Sequence, residues 1–117
     1  MDIFYYLKSC DTCRRILKTL NLPDSVTLIN IKENPLNKDQ LTALFSQTKS
    51  YATLFNSRAQ LLRKRGLKAG ELSEETIRDL LLEHYSFLKR PVLIYQGQLF
   101  IGNAPATIVA AEKALHE

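Results

Sequence analysis

Two cysteines stand three residues apart in Ser9-Cys10-Asp11-Thr12-Cys13-Arg14-Arg15. The chemistry they argue for is that of a thiolate, because the anion and not the thiol is the nucleophile. An ordinary cysteine titrates near ~8.5, so little of it is ionised at neutral pH unless something stabilises the charge. The flanking residues predict such a setting. Ile3-Phe4-Tyr5-Tyr6-Leu7 is a short apolar run rich in aromatic residues and reads as a strand, whereas Ile16, Leu17 and Leu20 resume with helical spacing. Ser9, Asp11 and Thr12 are each suited to cap that helix. Cys10 is therefore expected in the strand-to-helix turn and Cys13 in the first helical turn. Free N–H groups and the positive end of the helix dipole favour an anion there, and Arg14 and Arg15 add charge. Such surroundings lower a cysteine pKa to about 3.5–7.5. The three-residue offset also turns Cys13 to the side of Cys10, within reach of a sulfur adduct formed on it.

Other uses of the pair are less well served. Two neighbouring cysteines can be small buried hydrophobes. A single Cys-x-x-Cys can be half of a zinc site, but no second cysteine pair exists and His84 and His116 are distant in sequence. No metal is expected.

The 117 residues suit one domain, 1–117, with a real core. Apolar residues make up 45% and charged residues 24%, as in ordinary globular chains. No apolar run approaches the roughly 20 residues of a membrane span, and no secretory signal pattern is recognisable. Two cysteines without an export signal fit a reducing cytosol, so a cytoplasmic protein is expected. The net charge is +4, with basic clusters at Arg14-Arg15-Lys18, between Arg58 and Lys68, and at Lys89-Arg90. No nucleic-acid motif or interleaved aromatic residue accompanies them, so direct nucleic-acid binding is not expected. Nothing demands more than a monomer.

The elements that must position the cysteines follow in order. Asn21-Leu22-Pro23-Asp24 stops the first helix, and Val26 to Ile31 reads as a second, parallel strand. Asn34-Pro35-Leu36-Asn37 is a turn with a cap, opening a helix from about Lys38 to Gln47. Residues 48–70 predict two short helices closed by Gly66 and Gly70. Ser73 caps a long helix in which Ile77, Leu80, Leu81 and Leu88 share a stripe, with His84 beside it and given no role. Two apolar runs, Pro91 to Tyr95 and Gln98 to Gly102, form a hairpin across Gln96-Gly97. A last helix runs from Ala104 to Leu115, with Pro105 in its first turn and Ile108, Val109, Ala111 and Ala114 available for packing. The order βαβ, helices, ββα is that of an α/β, thioredoxin-like domain. It predicts a four-stranded mixed sheet flanked by helices, with an added helical segment between the second strand and the C-terminal hairpin.

Three segments resemble the arsenate reductase (ArsC) and Spx family of thioredoxin-like proteins. They are Cys10 to Arg15, Leu54-Phe55-Asn56-Ser57-Arg58, and Leu72-Ser73 through Leu88-Lys89-Arg90-Pro91-Val92-Leu93. The resemblance implies that Cys10 is the nucleophile, attacking arsenate or a glutathione or protein disulfide. It implies that Arg58 and Arg90 steady an oxyanion or thiolate near it, and that Pro91 is a cis proline facing it. A guanidinium offers a rigid fork of donors to such an anion. Gly102-Asn103-Ala104-Pro105 holds no arginine where glutathione-coupled arsenate reductases place a third one, which counts against arsenate turnover. Cys13 matches the Cys-x-x-Cys of Spx-type regulators, which sense oxidation and bind the RNA polymerase α subunit.

Two functions are thus expected as alternatives. The first is a cytosolic thiol–disulfide oxidoreductase in which Cys10 attacks a small thiol or disulfide substrate and Cys13 resolves the adduct. Glutathione, glutaredoxin or thioredoxin would serve as electron donor, and Arg14, Arg58 and Arg90 would hold the anion. The second is a redox-sensing regulator without turnover. The chain is expected to stop soon after its last helix, leaving that reading little room for an added regulatory tail.

Overall fold

A computed structural model describes residues 1–117. The chain divides into two compact units, one made of residues 1–34 and 90–117 and the other of residues 35–89.

The first unit contains the sheet. Strand β1 (Ile3–Tyr6) leads into helix α1 (Asp11–Leu20), which returns through β2 (Thr27–Asn30). The C-terminal part adds β3 (Val92–Tyr95), β4 (Gln98–Ile101) and helix α5 (Pro105–His116). The strand order is β2-β1-β3-β4. β1 is parallel to β2 and antiparallel to β3, and β3 is antiparallel to β4. This is the mixed, thioredoxin-like sheet expected from the order of elements. The β3–β4 turn carries positive φ at both Gln96 (48°) and Gly97 (77°). Such a two-residue turn matches the twist of the strands it joins, and the glycine takes up that backbone at no steric cost. Asp2 secures it by accepting the Gln96 N–H at 2.8 Å.

One face of the sheet is covered by α1 and α5. Phe4, Leu93 and Tyr95 meet Ile16 and Leu20 from α1 and Ala111 and Leu115 from α5, with Val26 closing the cluster. Each large apolar side chain buried in this way contributes about 1.5–3 kcal/mol relative to an exposed one. At the far end of the helices, His116 Nε2–H donates to the Leu20 carbonyl at 2.7 Å, satisfying one of the acceptors left open where α1 ends. Val109, expected to pack, is instead 52% exposed, since the buried side of α5 carries Ala111 and Leu115.

The second unit is helical. Asn37 and Gln40 form a reciprocal capping box at the start of α2 (Lys38–Thr48), each side chain accepting the other's backbone N–H. Short helix α3 (Gln60–Lys64) ends at Gly66, whose φ of 69° closes it as expected. Gly70 closes nothing; it lies inside a single 3₁₀ turn, Ala69–Glu71. Ser73 caps α4 (Glu74–Glu83) by accepting the Thr76 N–H at 3.1 Å.

The long helix expected to reach Leu88 stops at Glu83. His84 is extended and caps a 3₁₀ turn, Tyr85–Phe87, its Nδ1 accepting the Ser86 N–H at 3.1 Å. Apolar spacing continued past the point where this local side-chain bond outcompeted the helical ladder. Beyond the turn, the Asn56 N–H donates to the Phe87 carbonyl and the Lys89 N–H to the Leu54 carbonyl. No helix of the molecule is long and apolar enough to cross a membrane.

Candidate active site

The sheet register decides which residues meet at the cysteines. β1 runs toward the Cys10 turn, and Tyr5 pairs with Val92 of β3, which runs the opposite way. The residues just before Val92 are therefore carried to the end of the sheet from which α1 departs. These are Arg90 and Pro91, joined by a cis peptide bond. β2 runs parallel to β1, so Asn30, paired with Tyr6, arrives at the same end. The Gly102 N–H donates to the Pro91 carbonyl at 2.8 Å, which brings the start of α5 there too.

Within this frame Cys10 is the N-cap of α1. Its N–H donates to the Leu7 carbonyl and its own carbonyl accepts the Arg14 N–H, both at 3.0 Å. No side chain caps the helix, contrary to the expectation for Ser9, Asp11 or Thr12. The N–H groups at the helix start are instead left for sulfur. Cys13 occupies the third helical position and is fully buried, whereas Cys10 is partly exposed, and both thiols are free.

The two thiols are pushed in opposite directions. For Cys10, burial is the largest single influence and opposes ionisation. It is outweighed by hydrogen bonds to the anion from the Cys13 N–H, the Cys13 thiol, the Arg90 guanidinium and the Thr12 N–H, which hold Cys10 below the ordinary cysteine range. Cys13 is pushed up to about 11, chiefly by burial and further by the neighbouring Cys10 charge, against a lowering bond from the Leu7 backbone. The result is a thiolate at the surface with a protonated thiol behind it.

The other expected site residues are placed as follows. Arg90 is hydrogen-bonded to the Cys10 sulfur and is partly buried. Pro91 is buried beside it at the head of β3. Arg14 is turned aside: its guanidinium pairs with Asp11 and donates to the Lys8 carbonyl at 3.1 Å, and it is not among the groups that hold the Cys10 anion. The sequence put Asp11 one helical turn before Arg14, and that local ion pair captured it. Arg58 belongs to the second unit, in the exposed turn where its N–H donates to Asn56 Oδ1 at 3.1 Å, and its side chain forms no ion pair. Gly102 to Pro105 supplies no cation at the sheet end. No cluster of His, Cys, Asp or Glu side chains able to hold a metal ion forms.

Two contributors were not singled out from the sequence. The Thr12 and Cys13 N–H groups carry no side-chain signature beyond their place in the first turn of a helix. Asn30 fixes the cysteine turn by accepting the Lys8 N–H on its Oδ1 at 3.2 Å. A polar residue closing the strand beside β1 was the only cue to it.

Residues 5–111 match the profile of the ArsC family. The global transcriptional regulator Spx of Streptococcus agalactiae is 28% identical over 104 residues, covering 87% of this chain and 76% of the regulator. An arsenate reductase (ArsC) related protein from Brucella melitensis superposes with a TM-score of 0.69 at 27% identity, over 93% of this chain and 92% of that one. The arsenate reductase of Vibrio cholerae shares the fold with a TM-score of 0.76, at 20% identity and over 94% and 96% of the two chains.

Proposed function

The chain belongs to the ArsC family, and we propose that it is a thiol–disulfide oxidoreductase in which Cys10 is the nucleophile and Cys13 the resolving thiol. The observation that carries this reading is the opposed titration of the pair. Cys10 is held as a partly exposed anion by two N–H groups, a thiol and Arg90, while Cys13 keeps its proton in the interior. Cys10 attacks a disulfide sulfur and forms a mixed disulfide, releasing one thiolate. Cys13 then gives up its proton and attacks Cys10, releasing the second thiolate and leaving a Cys10–Cys13 bond. Once Cys10 is bonded its charge is gone, and with it one of the influences that kept Cys13 protonated. Arg90 and the helix N–H groups steady Cys10 whenever it leaves as an anion. Arsenate is not proposed as substrate, because Gly102 to Pro105 contains no arginine. Glutathione, glutaredoxin or thioredoxin is the proposed donor of the two electrons that restore the dithiol, in the cytoplasm.

The test is alkylation by iodoacetamide as a function of pH, read by peptide mass spectrometry. Cys10 should half-react below the pH of a free model thiol, with Cys13 unlabelled. A Cys10 that titrates like free cysteine would leave the mechanism without its nucleophile.

The sequence relation to Spx supports a second reading, in which the same pair is a switch without turnover and the partner is the α subunit of RNA polymerase. Incubating the reduced and the oxidised protein with the isolated carboxy-terminal domain of α, and measuring capture, separates the two. Binding that changes with oxidation supports the switch, and no binding in either state removes it.

A further inference from the structure

The end of the sheet that presents Cys10 also holds an open cavity of about 360 Å³. Lys8 and Ser9, the two residues immediately before Cys10, form one wall. Asn30 and Lys32, from the end of β2 and the turn after it, form the other, with Glu33 and Arg14 at the rim. The charges there are not balanced internally. Arg14 is occupied by Asp11 and the Lys8 carbonyl. Lys8 and Lys32 take part in none of the molecule's ion pairs. Glu33 alone opposes them. Asn30 spends its Oδ1 on the Lys8 N–H, so its amide nitrogen is left to donate. Two unpaired ammonium groups and an amide donor around a small cavity beside a nucleophilic sulfur form a receptor for an anion.

The geometry points to a substrate-selecting pocket: Lys8, Lys32 and Asn30 receive a carboxylate on the small-thiol half of the disulfide that Cys10 attacks. This rests on the exchange chemistry proposed above and adds the substrate class to it. The cavity is large enough for the arm of a low-molecular-weight thiol and far too small for a folded partner. The Cys10 anion attacks the sulfur bearing the carboxylate arm. The old S–S bond breaks, its electron pair leaves on the other sulfur, which takes a proton from water, and the arm remains on Cys10 within reach of the lysines. Attack by Cys13, which loses its proton to water, then expels the arm as a second thiolate. The two electrons gained by the substrate are those lost by the cysteine pair.

The test uses the full-length reduced protein and three symmetrical disulfides of similar size: dithiodipropionate, hydroxyethyl disulfide and cystamine, which are anionic, neutral and cationic. Mixed-disulfide formation on Cys10 is timed by acid quench and mass spectrometry in the parent and in a Lys8→Gln, Lys32→Gln variant. Each exposed charge pair is worth a factor of a few, so the variant should lose roughly tenfold in rate with dithiodipropionate and keep its rate with hydroxyethyl disulfide. Added salt should shrink the advantage of the anion in the parent only. Equal parent rates with the anionic and neutral disulfides, or equal losses with both in the variant, overturn the pocket and leave the exchange chemistry standing. No reaction of Cys10 with any of the three overturns both. The neutral disulfide also reports whether the variant is folded.

Discussion

Replacing Arg90 by methionine removes one of the four hydrogen bonds that hold the Cys10 anion and keeps most of the apolar stem. A hydrogen bond to a charged group is worth about 1.5–3 kcal/mol where water is excluded. Cys10 and Arg90 are both partly exposed, so solvent screening reduces this to about 1 kcal/mol. That is roughly a fivefold loss of thiolate at a fixed pH below its titration. A more basic thiolate is also a better nucleophile, with a sensitivity of about 0.4–0.5, so part of the loss is returned. The net expectation for Arg90→Met is a rate of iodoacetamide alkylation about two- to threefold slower than the parent at acid pH, and about twofold faster once both are fully ionised. The two pH profiles must cross. A stopped-time alkylation series over the whole range, with Cys10 followed by mass spectrometry, reads this directly. Superimposable profiles would mean that Arg90 does not hold the anion. A uniform loss at every pH, with no crossing, would mean that the substitution had damaged the turn rather than the charge.

Cys10→Ser should abolish disulfide exchange, whereas Cys13→Ser should still form the mixed disulfide and accumulate it, as seen by intact mass. Cys13 also makes a prediction about stability. An acid whose folded pKa is raised, here to about 11, keeps its proton in the folded chain after the unfolded chain has released it. Stability should therefore be full below the ordinary cysteine range, fall as pH rises through it, and level off above about pH 11. The slope is at most about 1.4 kcal/mol per pH unit. Urea titrations of the parent and Cys13→Ser at several alkaline pH values should show this extra fall in the parent alone. In the second unit, Asn37→Ala removes one half of the capping box of α2 and should lower the unfolding free energy by about 1 kcal/mol, measured by denaturant titration.

The parts of the fold that were legible from the sequence are those written in local chemistry. Asn37 opened its helix, Gln96-Gly97 made the tight turn of the hairpin, and Pro105 took the first turn of α5, where its missing N–H costs nothing. The place of Cys10 between strand and helix followed from the same punctuation. What escaped was decided by competition between partners. Arg14 had the Cys10 anion or Asp11 to choose from, and the nearer carboxylate won. Leu88 kept helical spacing with Leu81, yet His84 found a backbone partner in Ser86 and ended the helix five residues earlier. The contrast between the cysteines was also hidden. Their types are identical, and only the packing of the first unit makes one partly exposed and the other wholly enclosed.

The first unit is assembled from the two extremities of the chain, with residues 35–89 emerging between them. β1 sits inside the sheet, and its second neighbour, β3, begins only at Val92, with Arg90 arriving just ahead of it. A nascent polypeptide therefore exposes Cys10 and Cys13 to the surrounding medium well before the guanidinium that tames the first of them exists. Throughout that interval the pair is ordinary thiol, and its special reactivity is acquired only as translation finishes.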